Sequence, residues 1–182
     1  TVKLTVRGKT LSAPLEVRLD PRVKLAPAVV AQQHQLDTGL ATLVTRSSQL
    51  VMRVQSTLDQ LDKLAAPAPI KTEAGALADK LTVLLSGAKS ADRDRPKPPT
   101  LSAINGALTT LYKMIDVDAA PTRAQLAEAA QAERALTELG KTWGTLEATD
   151  LVRLNASLTA AHMPVVRPEL APETRQSAGN EE

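Results

Sequence analysis

One run dominates this chain. From about Pro27 to Leu64, the residues Leu36, Leu40, Leu43, Leu50, Val54, Leu58 and Leu61 recur at mixed spacings of three and four, with Ser47 the one polar member of the seam. That period belongs to an α-helix with a single apolar stripe. Pro27 suits the first helical position, where a missing N–H is harmless, and Pro67 and Pro69 stop the run. Only Gly39 interrupts it, at a cost of about 1 kcal/mol relative to Ala. At about 1.5 Å per residue the helix is ~55 Å long. A stripe of that length needs apolar partners along most of it, because tertiary packing supplies most of a helix's stability.

The rest of the chain offers such partners. Leu77, Leu81, Leu84 and Leu85 mark a shorter amphipathic segment at about 70–88. Residues 86–100 form a linker, with Gly87 and the run Asp92-Arg93-Asp94-Arg95-Pro96-Lys97-Pro98-Pro99. Thr100 then caps a third helix carrying Leu101, Ile104, Leu108, Leu111 and Ile115. Asp118-Ala119-Ala120-Pro121 breaks the chain again, and Thr122-Arg123-Ala124-Gln125 has capping-box form. It opens a fourth helix with the seam Leu126, Ala129, Ala132, Leu136, Leu139, Trp143 and Leu146. Asp150 starts a last short turn with Leu151, Leu154 and Leu158. The pattern predicts a mainly α protein, an antiparallel bundle of about four helices over 25–163 with one very long member.

Residues 1–24 follow a different period. Val2, Leu4 and Val6 alternate with Lys3, Thr5 and Arg7; after Gly8-Lys9 and a loop to Pro14, Leu15, Val17 and Leu19 alternate with Glu16, Arg18 and Asp20. This predicts an antiparallel β-strand pair with one apolar side. Two strands alone are marginal in water, so that side is expected to lie on the helices or on a sheet that this chain lacks; the clean polar alternation and the start in mid-pattern favour the sheet, as the end of a truncated β-sandwich. The absence of an initiator Met points the same way. Residues 164–182 lose periodicity and gather Pro, Glu, Ser, Gly and Asn, the composition of a disordered tail.

Charge and composition exclude several functions. Residues 1–24 carry a net +4, residues 25–163 a net of zero and residues 164–182 a net −2. The balanced helical part offers no cationic stripe for a phosphate backbone, and with one Trp, one Tyr and no Phe there are no base-stacking platforms. No nucleic-acid partner is expected. Without Cys there is no thiolate metal site, no disulfide and no Cys nucleophile. No stretch reaches the ~18 apolar residues of a membrane span.

Few side chains invite chemistry. His34 and Asp37 share a helical face but lack a third group, and His162 sits at the junction of helix and tail. Glu128, Glu133, Glu138 and Glu147 stand among Arg123, Arg134 and Lys141, which reads as a solvated face more than a carboxylate pair for glycoside cleavage. Ser47, Ser48 and Ser56 have no base nearby in sequence. Gly140 and Gly144 read as small residues that let a helix approach beside Trp143, itself a core or interface anchor. No catalytic, cofactor-binding or metal-ligating residue is assigned.

Four motifs in order nonetheless resemble a known family. They are Leu19-Asp20-Pro21-Arg22-Val23 after the strands, Gln32-Gln33 near the start of the long helix, Asp118-Ala119-Ala120-Pro121-Thr122, and the late series Trp143, Asp150-Leu151, Leu154-Asn155 and Leu158. Together, over roughly residues 1–163, they resemble the C-terminal region of bacterial sortilin-type, BNR-repeat β-propeller proteins, often labelled glycosyl-hydrolase-like. The resemblance implies a non-catalytic helical module, serving docking, spacing or oligomer contact, behind propeller and sandwich domains of one exported parent chain. The family's enzymatic label belongs to propeller repeats with Asp-box turns, and no Ser-x-Asp-x-Gly-x-x-Trp run occurs here. Two other readings stand beside it: an accessory part of an exported glycoside hydrolase, and an independent adaptor that binds partner helices or a second copy.

Overall fold

The computed structural model describes residues 1–16, 18, 20, 22, 24–88, 98–115 and 119–168. Two strands come first, β1 (Val2–Val6) and β2 (Lys9–Ala13). They are followed by α1 (Pro27–Asp62), α2 (Ala68–Ser86), α3 (Leu101–Lys113) and α4 (Arg123–Leu146). A π-helical turn, Glu147–Leu151, then carries the chain without a break into α5 (Val152–Ala160). The protein is an antiparallel bundle of four helices behind an antiparallel strand pair, with α4, the π turn and α5 forming one 38-residue helix.

Two long helices of nearly equal length make the spine, and two short ones fill its sides. α1 packs against α3, α2 and α4, while α2 also meets α5 and α3 meets α4. The core is almost all leucine: Leu40, Val54, Leu81, Leu101, Leu108, Leu154 and Leu158 are fully buried. Within the α1 seam Ser47 is buried as expected, but so is Thr57. Each donates its hydroxyl to its own helix, Ser47 to the Val44 carbonyl and Thr57 to the Arg53 carbonyl at 2.8 Å. A buried hydroxyl bonded in this way carries little desolvation penalty.

The helix ends follow their sequence signals. Thr100 accepts from the Ala103 N–H, and Thr122 and Gln125 form the full capping box. Gly87, at φ +92°, ends α2 in a conformation that side-chain-bearing residues avoid. At the far end of α5, Met163 N–H donates to the Leu158 carbonyl and His162 N–H to that of Thr159, with His162 at φ +57°. That is a Schellman ending with histidine where glycine is usual.

Three expectations need correction. The second strand is Lys9–Ala13, not the run from Leu15. Arg7 and Gly8 both have positive φ, which makes a two-residue turn of the kind that matches strand twist, so pairing resumes at once with Val6 opposite Lys9 and Val2 opposite Ala13. β1 is then exhausted: Leu15 is exposed beyond the ladder, and Val17 and Leu19 lie outside the described residues. Secondly, Asp150 does not open a new helix. The core positions Leu146 and Leu151 are five residues apart, too far for one α turn, and the π turn absorbs the extra residue so that both face the bundle. Finally, residues 164–168 are not a structureless tail, since Val166 is 3% exposed against the helices; residues 169–182 lie outside the described residues, as do 89–97 of the linker and Asp118.

Candidate functional site

Polar groups converge at one level of the bundle, around the π turn. Glu147 would project a carboxylate toward the core, and Arg53 of α1 meets it with Nη2 to Oε1 at 2.7 Å. The same guanidinium lies over the ring of Trp143, 5.5 Å from its centroid. Trp143 is 4% exposed, and its indole N–H finds no acceptor among the described residues. On the other side of the turn, Asp150 takes Lys80 of α2 at 2.7 Å and Arg153 at 3.2 Å, and accepts from the Thr149 hydroxyl. The Lys80 ammonium holds the Asp150 carboxyl below the usual carboxylate range, against the opposing effect of burial. The two carboxylates are thus tied to opposite neighbours, one to α1 and one to α2. Each is bound to a cation, and for Asp150 that pairing favours the ionised form and leaves a poor proton donor.

The strap at 165–168 closes the side of this level. Val166 N–H donates to Asn155 Oδ1 and its carbonyl accepts from Asn155 Nδ2, both at 2.9 Å. Arg167 N–H donates to Gln60 Oε1 at 3.0 Å, and its carbonyl accepts from Gln60 Nε2 at 2.7 Å. Arg53 Nε donates to the Pro168 carbonyl at 3.3 Å.

The residues weighed from the sequence are scattered by comparison. His34 and Asp37 share no hydrogen bond or ion pair among the described residues, and His162 serves the helix ending. Glu128 and Glu133 are exposed, Glu138 pairs with Lys141 on its own helix, and only Glu147 enters the junction. Ser48 accepts from Asn105 and Ser56 from Gln60, so neither meets a base. Gly140 and Gly144 are corrected too: a Cβ at either would meet nothing within 4 Å, so they mark no close helix approach. Among the described residues no three His, Asp or Glu gather to hold a metal, and no helix is long and apolar enough to cross a membrane. Arg53, Lys80 and Gln60 escaped the sequence reading, and Asn155 entered it only within the motif Leu154-Asn155; the gap of five between Leu146 and Leu151 is the sequence signal of this junction.

A second feature lies at the N-terminus. Paired residues of a ladder share a face, so Val2, Leu4 and Val6 stand with Ala13, Leu11 and, at the turn end, Lys9; the four larger apolar side chains are 51–62% exposed. Thr5 and Thr10 share the other face, their hydroxyls 2.9 Å apart. Arg18 and Arg22 pair with Glu16 and Asp20, whereas Lys3, Arg7 and Lys9 meet no carboxylate among the described residues. Two shallow grooves lie elsewhere on the surface. One, between α1 and α2, is about 500 Å³ and includes Asp59, Asp62 and Lys71; the other, between α2 and α4, is about 490 Å³ and is walled by Val83, Leu84, Leu139 and Leu146. Neither brings together a nucleophile with a base.

Compared with known proteins, the chain matches no family model, no curated protein and no solved structure.

Proposed function

We propose that this chain is a non-catalytic helical module that docks onto a β-sheet through its N-terminal hairpin. The observation that carries this reading is the apolar face of Val2, Leu4, Val6 and Leu11, which stays more than half exposed while the helices fill one another's seams. A contiguous exposed apolar face on a protein otherwise able to bury its leucines is the usual mark of an interaction surface. Sheet against sheet is the natural partner, because alternate side chains from both faces interdigitate. The alternation of Leu11, Ala13, Leu15, Val17 and Leu19 also continues in sequence past the end of the β1 ladder, as it would for a strand meant for a wider sheet. That the sheet belongs to a sandwich of the same exported parent, behind propeller domains, rests on the resemblance to sortilin-type proteins alone.

Substitution of Leu4 and Leu11 together by Ser tests the reading. A docking face predicts an unchanged melting temperature for the chain, within about 1–2 °C, and reduced binding of an apolar dye. A fall of many degrees would mean that the hairpin belongs to the helical core.

The groove between α2 and α4 favours the adaptor as a second reading, since its exposed Val83 and the walls Leu84, Leu139 and Leu146 could receive the apolar stripe of a partner helix.

A further inference from the structure

Arg53 of α1 is the point where the strap, the π turn and the core tryptophan meet. Its Nη2 donates to Glu147 Oε1 at 2.7 Å, its Nε donates to the Pro168 carbonyl at 3.3 Å, and its guanidinium lies over the Trp143 ring. The strap itself is held mainly by its backbone. Asn155 of α5 takes the N–H and C=O of Val166, and Gln60 of α1 takes those of Arg167. Val166 is its one buried side chain.

One donor in this cluster is left over. The Trp143 indole N–H is buried without an acceptor among the described residues, at a cost comparable to that of a lost hydrogen bond. Beside it lies a small cavity walled in part by Thr57, Leu77, Leu81 and Glu147, too tight to admit a water molecule that would satisfy the indole. The Thr57 hydroxyl is committed to the Arg53 carbonyl. Glu147 stands four residues after Trp143, one turn along the same helix, and a helical side chain leans back over the turn before it. Its carboxylate is thus a neighbour of the indole that is turned to Arg53 instead.

We propose that Glu147, Arg53 and the strap form a two-state latch. In the closed state, the one seen here, Arg53 joins Glu147 to the strap and the indole N–H goes without a partner. In the open state residues 165–168 leave α1 and α5, the part-exposed Arg53 guanidinium turns to water, and the Glu147 carboxylate accepts from the indole N–H. The bonds lost with the strap are offset by one that the closed state forgoes. Opening therefore takes place as a local event, below the free energy that unfolds the helices. The hinge is His162, which joins α5 to the strap at a positive φ unfavourable for a side-chain-bearing residue. The latch is independent of the docking reading for the hairpin.

The test uses the full chain, in which the single tryptophan gives one indole N–H resonance. Two variants open the strap by separate routes. Val166→Asn removes its apolar anchor, and Gln60→Ala with Asn155→Ala removes four of its five bonds. The expected result is amide exchange at Val166 and Arg167 about tenfold faster at unchanged helical circular dichroism, with the indole proton moved downfield, as for a donor bonded to a carboxylate. Adding Glu147→Ala to either variant abolishes the downfield shift. An indole resonance that stays in place in both opened chains, or a shift that survives Glu147→Ala, overturns the latch. So does strap protection unchanged by both routes, or loss of helical structure in both, because the strap is then an inseparable part of the core.

Discussion

Among the described residues, Asp150 is the one carboxylate paired with two cations. Its carboxyl, 13% exposed, serves Lys80 from α2 and Arg153 from its own helix. Because that pairing lowers its folded pKa beneath the unfolded value of about 3.9, its contribution is fully present above that value. It is lost as pH falls through the lower folded pKa. Asp150→Asn is therefore expected to lower the melting temperature at pH 7 by roughly 2–4 °C, and the difference from the unaltered chain should shrink progressively as pH falls below about 3.9. Thermal scans across that pH range check it; a gap that does not change with pH would assign the loss to packing. At this scale the sequence was partly legible. The caps at Thr100 and Thr122 could be read directly because a cap is a local bond between neighbours in the chain. The roles of Arg53, Gln60 and Asn155 could not, since each depends on a partner about 11 to 115 residues away, a separation that local periodicity does not encode.

Among the elements, the π turn has the largest consequence. It keeps Leu146 and Leu151 both on the core side and thereby brings Glu147, a third of its side chain still exposed, to the helix interface, where Arg53 of α1 pairs with it. Arg53→Met keeps the aliphatic stem but removes the partner, and should cost about 1–3 kcal/mol in urea unfolding. Adding Glu147→Gln should recover part of that loss, the mark of a coupled pair; simple additivity of the two changes would dissociate them. A spacing of five between apolar positions was visible in the sequence, but it reads equally as a helix break, and Asp150 looks like a cap for the second piece. Continuity is decided by the facing helices, which supply seams on both sides of the turn. The hairpin taught a similar lesson. The alternation at Leu15, Val17 and Leu19 is the stronger hydrophobic signal, yet strands pair from the turn outward, and a two-residue turn at Arg7-Gly8 commits β1 to Lys9–Ala13.

For the molecule as a whole, two long helices braced by two short ones account for nearly all the buried leucine, and the hairpin stands apart with its apolar face uncovered. This arrangement was legible because helical periodicity over tens of residues leaves few alternatives to a bundle. What covers the apolar side of the hairpin was not legible, because alternation marks a face without marking what lies against it. The central claim is that the helices are self-sufficient while the hairpin awaits a sheet. Amide hydrogen exchange on the isolated full chain tests it most directly. The seam residues of α1 and of the α4–α5 helix should be strongly protected, and the amides of Val2–Ala13 should exchange within about tenfold of unprotected rates, as an unsupported strand pair does. Protection of β1 and β2 equal to that of the helices would contradict the claim.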